Sequence, residues 1–194
     1  MASAADVSVE AQVMRLYEET LSKFGRIDAL VNNAGVLEQA MKLESMTVER
    51  MSRVFSTNVI GSMLCAREAV KHMSIKSGGS GGGIVNVSSI AAVLGAPGEY
   101  VDYAASKGAI DTFTKGLAIE VADEGIRVNT VRPGVIYTDI HASGGEPDRV
   151  DRIKQSVPMQ RGGTVEEVAN AILWLLSEEA SYTTGALIDV TGGR

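Results

Sequence analysis

The sequence predicts an α/β fold in which a doubly wound, mostly parallel sheet carries helices on both faces. Two observations lead to this prediction. Short β-rich runs alternate along the chain with longer segments of helical period, and each run is bounded on one side by Gly, Asn or Pro, as is usual for buried parallel strands. Because the 194 residues contain no internal repeat, we expect a single domain over residues 1–194.

Four strands are predicted from the β-rich runs, at residues 29–31, 84–87, 127–131 and 186–190. The Gly- and Ser-rich segment 77–83 precedes the second strand. A phosphate-binding loop instead follows a strand and opens a helix, so that backbone N–H groups face the anion. Since neither a G-x-G-x-x-G nor a G-x-x-x-x-G-K-[ST] motif occurs, we predict a flexible helix-to-strand loop at this segment.

Four helices are predicted from apolar residues at helical spacing. They cover residues 9–24, a long segment that begins at the N-cap Thr47, residues 103–122 and residues 165–176. Gly25 is placed to end the first helix, and Thr164 with Glu167 has the spacing of a capping box at the last. Residues 139–163 show no clear period, so we predict a long mobile loop there, of a length that often covers a site.

Composition excludes several classes of function. The 18 Lys and Arg residues against 24 Asp and Glu residues give a net charge of −6, which leaves no basic stripe for nucleic acid. The longest uncharged stretch, residues 77–98, is too rich in Gly, Ser and Asn to span a membrane. The single cysteine, Cys65, forms no internal disulfide, and the first ten residues lack a signal-peptide pattern. We therefore expect a cytoplasmic protein that binds neither nucleic acid nor membrane.

Tyr103 and Lys107 are the strongest candidates for a catalytic pair. At positions i and i+4 of a helix, their side chains lie one turn apart on the same face. An ammonium group beside a phenol favours the phenolate, so we expect Lys107 to lower the pKa of Tyr103 toward the range of a general acid/base. By itself this spacing also occurs by chance, and it gains weight only from its surroundings.

Three further groups of polar residues supply those surroundings. Ser88 and Ser89 end a predicted strand, where open α/β sheets bind ligands and where a hydroxyl can donate to a carbonyl oxygen. The run Asn32-Asn33-Ala34-Gly35 follows another strand, and Asn58 lies in a helix that is otherwise apolar. Each group also has an ordinary structural explanation: a capped turn, a tight Asn/Gly turn and a buried amide, respectively.

Together these residues resemble the short-chain dehydrogenase/reductase family of the classical type, over essentially the whole chain. The motifs follow in the family's order: Asp6-Val7, Asn32-Asn33-Ala34-Gly35, Asn58, Asn86-Val87-Ser88-Ser89, Tyr103-x-x-x-Lys107, residues 132–138 and residues 184–193. The resemblance implies a Rossmann-like fold and an NAD(P)-dependent oxidoreductase. Its reaction would interconvert a secondary alcohol and a ketone by hydride transfer.

The resemblance also implies the roles of the catalytic residues. Tyr103 exchanges a proton with the substrate oxygen, and Lys107 lowers the pKa of that phenol and binds the ribose of the nicotinamide. Ser89 orients and polarises the substrate carbonyl. Asn58 holds a water molecule that links Lys107 to solvent. Fourteen positions separate Ser89 from Tyr103, one more than is common in the family, so Ser88 stays open as an alternative to Ser89.

For the cofactor, NAD or NADP with no readable preference, the resemblance implies contacts along the whole dinucleotide. Asp6 and Val7 flank the adenine, Asn33, Ala34 and Gly35 lie at the adenosine ribose, and Pro133, Gly134, Ile136 and Thr138 line the nicotinamide. The partner is a small-molecule alcohol or carbonyl compound. Within the segment 139–163, His141, Glu146 and Met159 select no substrate class.

One part of the family pattern is missing at the start of this sequence. Family members begin with a strand, a Gly-rich turn, a helix and a second strand, whereas this sequence starts near the family's third strand. We therefore expect an N-terminally incomplete domain that holds the dinucleotide phosphates poorly and is not an efficient dehydrogenase as it stands. Two alternatives stay open: a catalytically silent member acting as a binding or assembly module, and an enzyme of epimerisation or dehydration with a tightly held cofactor.

Assembly is predicted from the helix at residues 103–122. An apolar stripe would cover the sheet, and a stripe of small residues would let a second helix approach closely. The apolar stripe is Ala109, Phe113, Leu117 and Val121, and the small-residue stripe is Ala105, Gly108, Thr112 and Gly116. With Trp174, Leu175 and Leu176 as a second apolar surface, we expect a homotetramer.

Overall fold

The computed structural model, which describes residues 1–194, is built around four parallel strands that lie side by side in chain order. They are β1 (Ala29–Asn32), β2 (Gly82–Val87), β3 (Ile126–Pro133) and β4 (Leu187–Val190). All four predicted strands are confirmed. Every neighbouring pair is parallel, as the alternation of strands and helices predicts, and β1 and β4 form the two edges of the sheet.

Eight helices connect and cover the strands. They are α1 (Glu10–Phe24), α2 (Val48–Phe55), α3 (Ser62–Met73), α4 (Ala91–Leu94), α5 (Val101–Glu120), α6 (Ile140–Ser143), α7 (Arg149–Ile153) and α8 (Val165–Leu176). A π-helical segment, Ser56–Gly61, joins α2 to α3. The predicted helix ends are confirmed at Gly25, at Thr47 and at the capping box of Thr164 and Glu167. None of the helices is both long and apolar enough to cross a membrane.

Side chains alternate between the two faces of the sheet, and each face has its own apolar core. The first face carries Ile84 of β2 and Val128 of β3, and it is covered by α1, α3 and α5. The second face carries Val85 and Val131 and is covered by α8. Helices therefore cover both faces of a parallel sheet, as the sequence predicts, and the carboxyl ends of the strands are where a ligand is expected to bind.

A ladder of buried polar side chains crosses the first face of the sheet. Asn32 Nδ2 donates to Asn86 Oδ1 at 2.9 Å, and Asn86 Nδ2 donates to Thr114 Oγ1 at 2.8 Å. Thr114 Oγ1 in turn lies 2.7 Å from Thr130 Oγ1. Because a buried polar group without a partner costs free energy, this ladder favours one alignment of β1, β2, β3 and α5. The strand ends that carry the site are aligned by it.

The Gly- and Ser-rich connection before β2 lies where predicted, but it is closely packed. A Cβ on Gly79 would stand 2.4 Å from the Met73 carbonyl oxygen, and one on Gly81 would stand 2.4 Å from the Gly125 carbonyl oxygen. Gly81 also has a φ of 76°, which L side chains rarely adopt. The glycines allow backbone segments to approach each other, and the predicted helix-to-strand connection is confirmed, while its flexibility stays a prediction.

Residues 139–163 contain α6 and α7, so two short helices interrupt the predicted long loop, and its mobility stays a prediction. These helices have only 4 and 5 residues, which is too short to give a recognisable helical period. Val150 and Val157 are buried against Val135, and this small cluster anchors the segment next to the carboxyl end of β3.

The sheet-facing side of α5 differs from the predicted apolar stripe by one position. Ile110, Thr114 and Ala118 are buried, whereas Ala109, Phe113 and Leu117 of the predicted stripe are half-buried. The last residue of that stripe, Val121, is buried in the core as predicted. Thr114 faces the sheet because it belongs to the polar ladder, and apolar periodicity cannot reveal a polar residue in that place. Most of the predicted small-residue stripe is exposed on the opposite side.

Candidate active site

A cleft of about 920 Å³ lies at the carboxyl ends of the strands. Its volume is typical of sites that hold a cofactor or a drug-sized ligand. The predicted site residues that line it are Asn33, Ala34, Gly35, Ser89, Tyr103, Lys107, Pro133, Gly134, Ile136 and Thr138. Asp6, Val7 and Asn58 are the predicted site residues that do not. The structure thus brings together residues from three strand ends and the first turns of α5.

Lys107 is buried on α5 and is anchored to the end of β2. Its Nζ donates to the Val87 carbonyl oxygen at 2.7 Å and lies 5.6 Å from the centre of the Tyr103 ring. Burial lowers the pKa of Lys107 to about 8, while the nearby Asp111 carboxylate acts in the opposite direction. The i, i+4 spacing therefore places the ammonium group over the ring of the tyrosine.

The phenol of Tyr103 does not have the lowered pKa that the sequence predicts. Burial raises the pKa of Tyr103, and the neighbouring Ser89 hydroxyl opposes this effect without overcoming it. The expected lowering is not found, because burial is the largest cause of the shift and the Lys107 ammonium group is not among its causes. At neutral pH the phenol is protonated.

The two serines at the end of β2 point to different surroundings. Ser88 Oγ donates to the Lys107 carbonyl oxygen at 3.0 Å, and Ser88 is buried. Ser89 Oγ accepts a hydrogen bond from the Ala91 N–H at 3.1 Å and interacts with the Tyr103 phenol. The geometry therefore favours Ser89 over Ser88 as the serine that meets a substrate.

Asn58 lies behind the cleft, in the π-helical segment between α2 and α3. Its side chain accepts from the Val36 N–H at 2.8 Å and donates to the Val36 carbonyl oxygen and to Ser106 Oγ, each at 3.1 Å. Ser106 Oγ donates to the Tyr103 carbonyl oxygen at 2.7 Å. Asn58 thus connects the strand-end loop to α5, and its predicted role of holding a water molecule stays a prediction.

Asp6 and Val7 are not brought to the cleft. The exposed Asp6 carboxylate accepts from the Ser8 N–H at 2.9 Å and from Ser8 Oγ at 2.7 Å, which is a local turn ahead of α1. Val7 packs against the helix at Gly61, where an added Cβ would stand 2.6 Å from Val7 Cγ2. Their predicted adenine contacts therefore have no support from the position of this cleft.

A buried ion pair beside Tyr103 was missed by the sequence analysis. Arg50 Nε donates to Asp102 Oδ2 at 2.8 Å, and Arg50 Nη1 donates to the Gln39 carbonyl oxygen. Asp102 Oδ1 also accepts from the Tyr103 N–H at 2.9 Å. This pair joins α2, the loop after β1 and the first turn of α5, and no local pattern connects residues that lie 52 positions apart.

Charged residues close one end of the cleft. Arg149 of α7 contacts Glu99 at 2.6 Å and stacks over the Tyr100 ring at 5.1 Å, which joins the segment after β3 to the segment before α5. His141 lines the cleft, and its Nε2 lies 3.0 Å from the Ile136 carbonyl oxygen. Met159 lies in a separate pocket next to β4. This end of the cleft thus combines apolar walls with an ion pair.

The whole chain is similar in sequence to known oxidoreductases. A family profile described as enoyl-(acyl carrier protein) reductase matches residues 1–194. A protein of Escherichia coli K12 named uncharacterized oxidoreductase YgfF is 63% identical over 190 residues, which cover 98% of this chain and 77% of that protein. The glucose and ribitol dehydrogenase of Daucus carota is 37% identical over 193 residues, which cover 100% of this chain and 64% of that protein.

The fold is also similar to that of a solved structure. The crystal structure of 3-ketoacyl-(acyl-carrier-protein) reductase from Brucella melitensis complexed with NADH aligns with a TM-score of 0.92 at 36% sequence identity. The alignment covers 100% of this chain and 78% of that chain. This chain therefore spans about two thirds to four fifths of the length of the proteins that it resembles.

Proposed function

The chain belongs to the short-chain dehydrogenase/reductase family, and from this premise we propose that its cleft interconverts a secondary alcohol and a ketone. NAD or NADP is the hydride carrier of the family. The observation that carries the proposal is the placement of Ser89, Tyr103 and Lys107 around one cleft. A hydroxyl, a phenol and an ammonium group together can polarise a carbonyl oxygen and give it a proton.

Tyr103 is the proton donor in this proposal. Because burial raises the pKa of its phenol, the group holds its proton at neutral pH, which is the state that reduction of a carbonyl requires. The proton goes to the oxygen atom of the substrate as hydride reaches the carbon. In the reverse direction the phenolate would take the proton from the alcohol.

Lys107 and Ser89 support that transfer. With a pKa of about 8, Lys107 is mostly charged at neutral pH, and its charge stabilises the phenolate that remains after transfer. The Ser89 hydroxyl interacts with Tyr103 and can donate to the same substrate oxygen. The Val87 carbonyl oxygen holds Lys107 in place.

The residues at the cleft fit the nicotinamide and its ribose. A Cβ on Gly35 would stand 3.6 Å from Lys107 Nζ and 3.4 Å from Asn58 Oδ1, so Gly35 forms the part of the wall that lies beside these two side chains. Asn33 and Ala34 continue that wall, and Pro133 lies on another part of the lining. When bound, NAD or NADP would supply or accept the hydride, and the protein would supply position and the proton.

The proposal is tested by adding NADH or NADPH at millimolar concentration to the 194-residue protein with a panel of carbonyl compounds. The panel holds an aldose, a ketosteroid, a β-ketoacyl thioester and a simple aromatic ketone. We expect loss of absorbance at 340 nm with at least one of them and none without protein. If a saturating concentration of either cofactor gives no oxidation with any compound, the proposed activity is wrong.

A binding or assembly role without turnover is the second candidate. The observation that favours it is the position of Asp6 and Val7 outside the cleft, which leaves the adenine contacts implied by the family unsupported. Titration of each cofactor, followed by the fluorescence of the reduced nicotinamide, separates the two candidates. A silent protein would show neither binding nor oxidation, whereas an enzyme shows both.

We also propose that the protein assembles as a homotetramer. The small residues Ala105 and Gly116 are exposed on α5, which supports the first predicted surface. Of the second predicted surface only Trp174 is exposed, next to the exposed Leu173. The prediction is wrong for Leu175, which is buried in the core, and Leu176 is half-buried. Small residues allow close helix packing, and exposed apolar groups are typical of interfaces. Light scattering at micromolar concentration should give four times the mass of the 20.4 kDa chain. A mass of one chain would contradict the proposal.

A further inference from the structure

Asp111 is a buried carboxylate on α5, one helical turn beyond Lys107 on the same face. Its Oδ2 accepts a hydrogen bond from Arg132 Nε at 2.9 Å and forms an ion pair with Arg132 Nη2 at 2.8 Å. Its Oδ1 is buried and has no hydrogen-bond partner. An ion pair with Arg132 explains the position of the first oxygen. It does not explain why a carboxylate with a second, unpartnered oxygen occupies this place, since such an oxygen costs free energy.

Arg132 connects Asp111 to the other side of the site. It lies on β3 directly before Pro133 and Gly134, which line the cleft. A second carboxylate, Asp189 of β4, lies 3.5 Å from Arg132 Nη1 and is about half exposed. Asp111 therefore lies between the buried ammonium group of α5 and the strand end that forms the opposite part of the cleft.

We propose, building on the function proposed above, that Asp111 is a positioning residue whose negative charge keeps the buried Lys107 protonated while one of its oxygens holds Arg132 beside the Pro133-Gly134 turn. This carboxylate would not touch the substrate or the cofactor. It would act through Lys107 and Arg132, and so it would connect the side of the cleft that carries Tyr103 and Lys107 to the Pro133-Gly134 turn.

The charges around Lys107 agree with this assignment. On α5 the ionisable neighbours are Tyr103 and Asp111, and from β2 only the uncharged Val87 carbonyl oxygen reaches the ammonium group. Asp111 is the one charge that opposes the effect of burial on the pKa of Lys107. Beyond Asp111, Arg132 of β3 and Asp189 of β4 complete the charged group. Removing the Asp111 charge should therefore lower the pKa of Lys107 further, because no charge would then oppose the effect of burial.

The experiment measures the pKa of Lys107 directly by NMR. The protein is labelled with ¹³Cε-lysine, its seven lysines give seven signals, and Lys107→Arg assigns the signal of interest. In Asp111→Asn, which keeps the shape of the side chain, we expect the pKa of Lys107 to fall by about one unit, the low end of the effect of losing a nearby opposite charge. Asp189→Asn, the matched control on the same arginine, should leave that pKa unchanged. Asp111→Glu, which keeps the negative charge, should hold the pKa of Lys107 close to its value in the unchanged protein.

A second variant covers the case in which Asp111→Asn does not fold because Arg132 is left unpaired. The double change Asp111→Leu with Arg132→Met removes both members of the ion pair, so no buried charge remains alone. The pKa of Lys107 should fall in that protein as well. An unchanged pKa in either folded variant overturns the proposal. Since the NMR titration needs no cofactor or substrate, it fails or succeeds independently of the carbonyl reduction assay that tests the proposed function.

Discussion

Two regions of the molecule hold their motif residues in different ways. One is the wall of the cleft that carries Ser89, Tyr103 and Lys107, and the other is the N-terminal region, residues 1–28. Tyr103 and Lys107 lie in the first turns of a 20-residue helix that packs on the sheet, and Lys107 is only 4% exposed. Asp6 is exposed and bonds only to its near neighbours Ser8, Val9 and Gln12. A sequence motif predicts the positions of its side chains well where those side chains pack against distant segments. It predicts them poorly where the side chains bond only to residues nearby in the chain.

The edge strand β1 shows the same contrast on a larger scale. Its inner edge pairs with β2, and Asn32 at its end is buried in the polar ladder. Its outer edge has no partner strand, and Val31 is 40% exposed. An unpaired edge with an exposed apolar residue is open to pairing with another chain. The wall of the cleft that carries Ser89, Tyr103 and Lys107 lies on the paired side.

The largest expected effect distinguishes the two tyrosines near the cleft. Tyr103→Phe removes the proton donor but little packing, so we expect kcat to fall by about a thousandfold with an unchanged unfolding temperature. Tyr100→Phe is the matched control, because this phenol contacts Glu146 at 3.5 Å and lacks a lysine four positions later. If the Tyr103→Phe variant kept most of the kcat of the unchanged protein, the assignment of Tyr103 as the proton donor would be wrong.

The next effect compares a buried ion pair with an exposed one. The Arg50 and Asp102 side chains are 5% and 2% exposed, whereas those of Arg26 and Asp28 in the N-terminal region are 61% and 57% exposed. Asp102→Ala should reduce the free energy of unfolding by about 3–5 kcal/mol because it leaves Arg50 buried and unpaired. Asp28→Ala should change it by less than about 1 kcal/mol. Urea unfolding of both variants checks this, and equal losses would contradict it.

Lys107 should also make stability depend on pH. Burial lowers its pKa from 10.5 to about 8, so between these pH values the unfolded chain binds a proton that the folded protein has released. The free energy of unfolding therefore rises as pH increases through this range, by up to about 3 kcal/mol from this group. In the Lys107→Met variant, the free energy of unfolding should not show that increase with pH. Lys115→Met, an exposed lysine of the same helix, should retain it when both are unfolded in urea at pH 7.5 and pH 10.

The smallest effect is expected at Asp6. Since its carboxylate is exposed and lies outside the cleft, Asp6→Ala should change the free energy of unfolding by less than about 0.5 kcal/mol. The dissociation constants of NADH and NADPH should stay within about twofold of those of the unchanged protein. A clear loss of affinity, measured by nicotinamide fluorescence, would show that the family's adenine contact also operates in this chain.

Much of the fold follows from the sequence because its signals are local. The capping box of Thr164 and Glu167 fixes the start of α8, and runs of β-branched residues bounded by Gly, Asn or Pro mark the strands. The carboxyl ends of parallel strands meet at one edge of the sheet, so strand order along the chain is enough to place Ser89 and Asn33 at a common site. The i, i+4 spacing likewise places Lys107 over Tyr103.

Other features could not be predicted because they depend on contacts between distant residues. Arg50 and Asp102 are 52 positions apart, and Arg132 and Asp111 are 21 apart. The pKa of Tyr103 depends on how deeply the phenol is buried, which residue spacing does not report. Thr114 faces the sheet through hydrogen bonds, so a search for apolar stripes assigned α5 a neighbouring face. Short helices such as α6 give no period at all.

The most direct test of the central claim follows one deuterium atom. NADH or NADPH carrying deuterium at both hydrogen positions of C4 of the nicotinamide is mixed at millimolar concentration with the protein and an accepted carbonyl compound, and the alcohol is analysed by mass spectrometry. The account predicts one deuterium on the carbinol carbon of the product, formed by the unchanged protein and by Tyr100→Phe but barely by Tyr103→Phe. An alcohol without deuterium, or equal labelling by all three proteins, would contradict it.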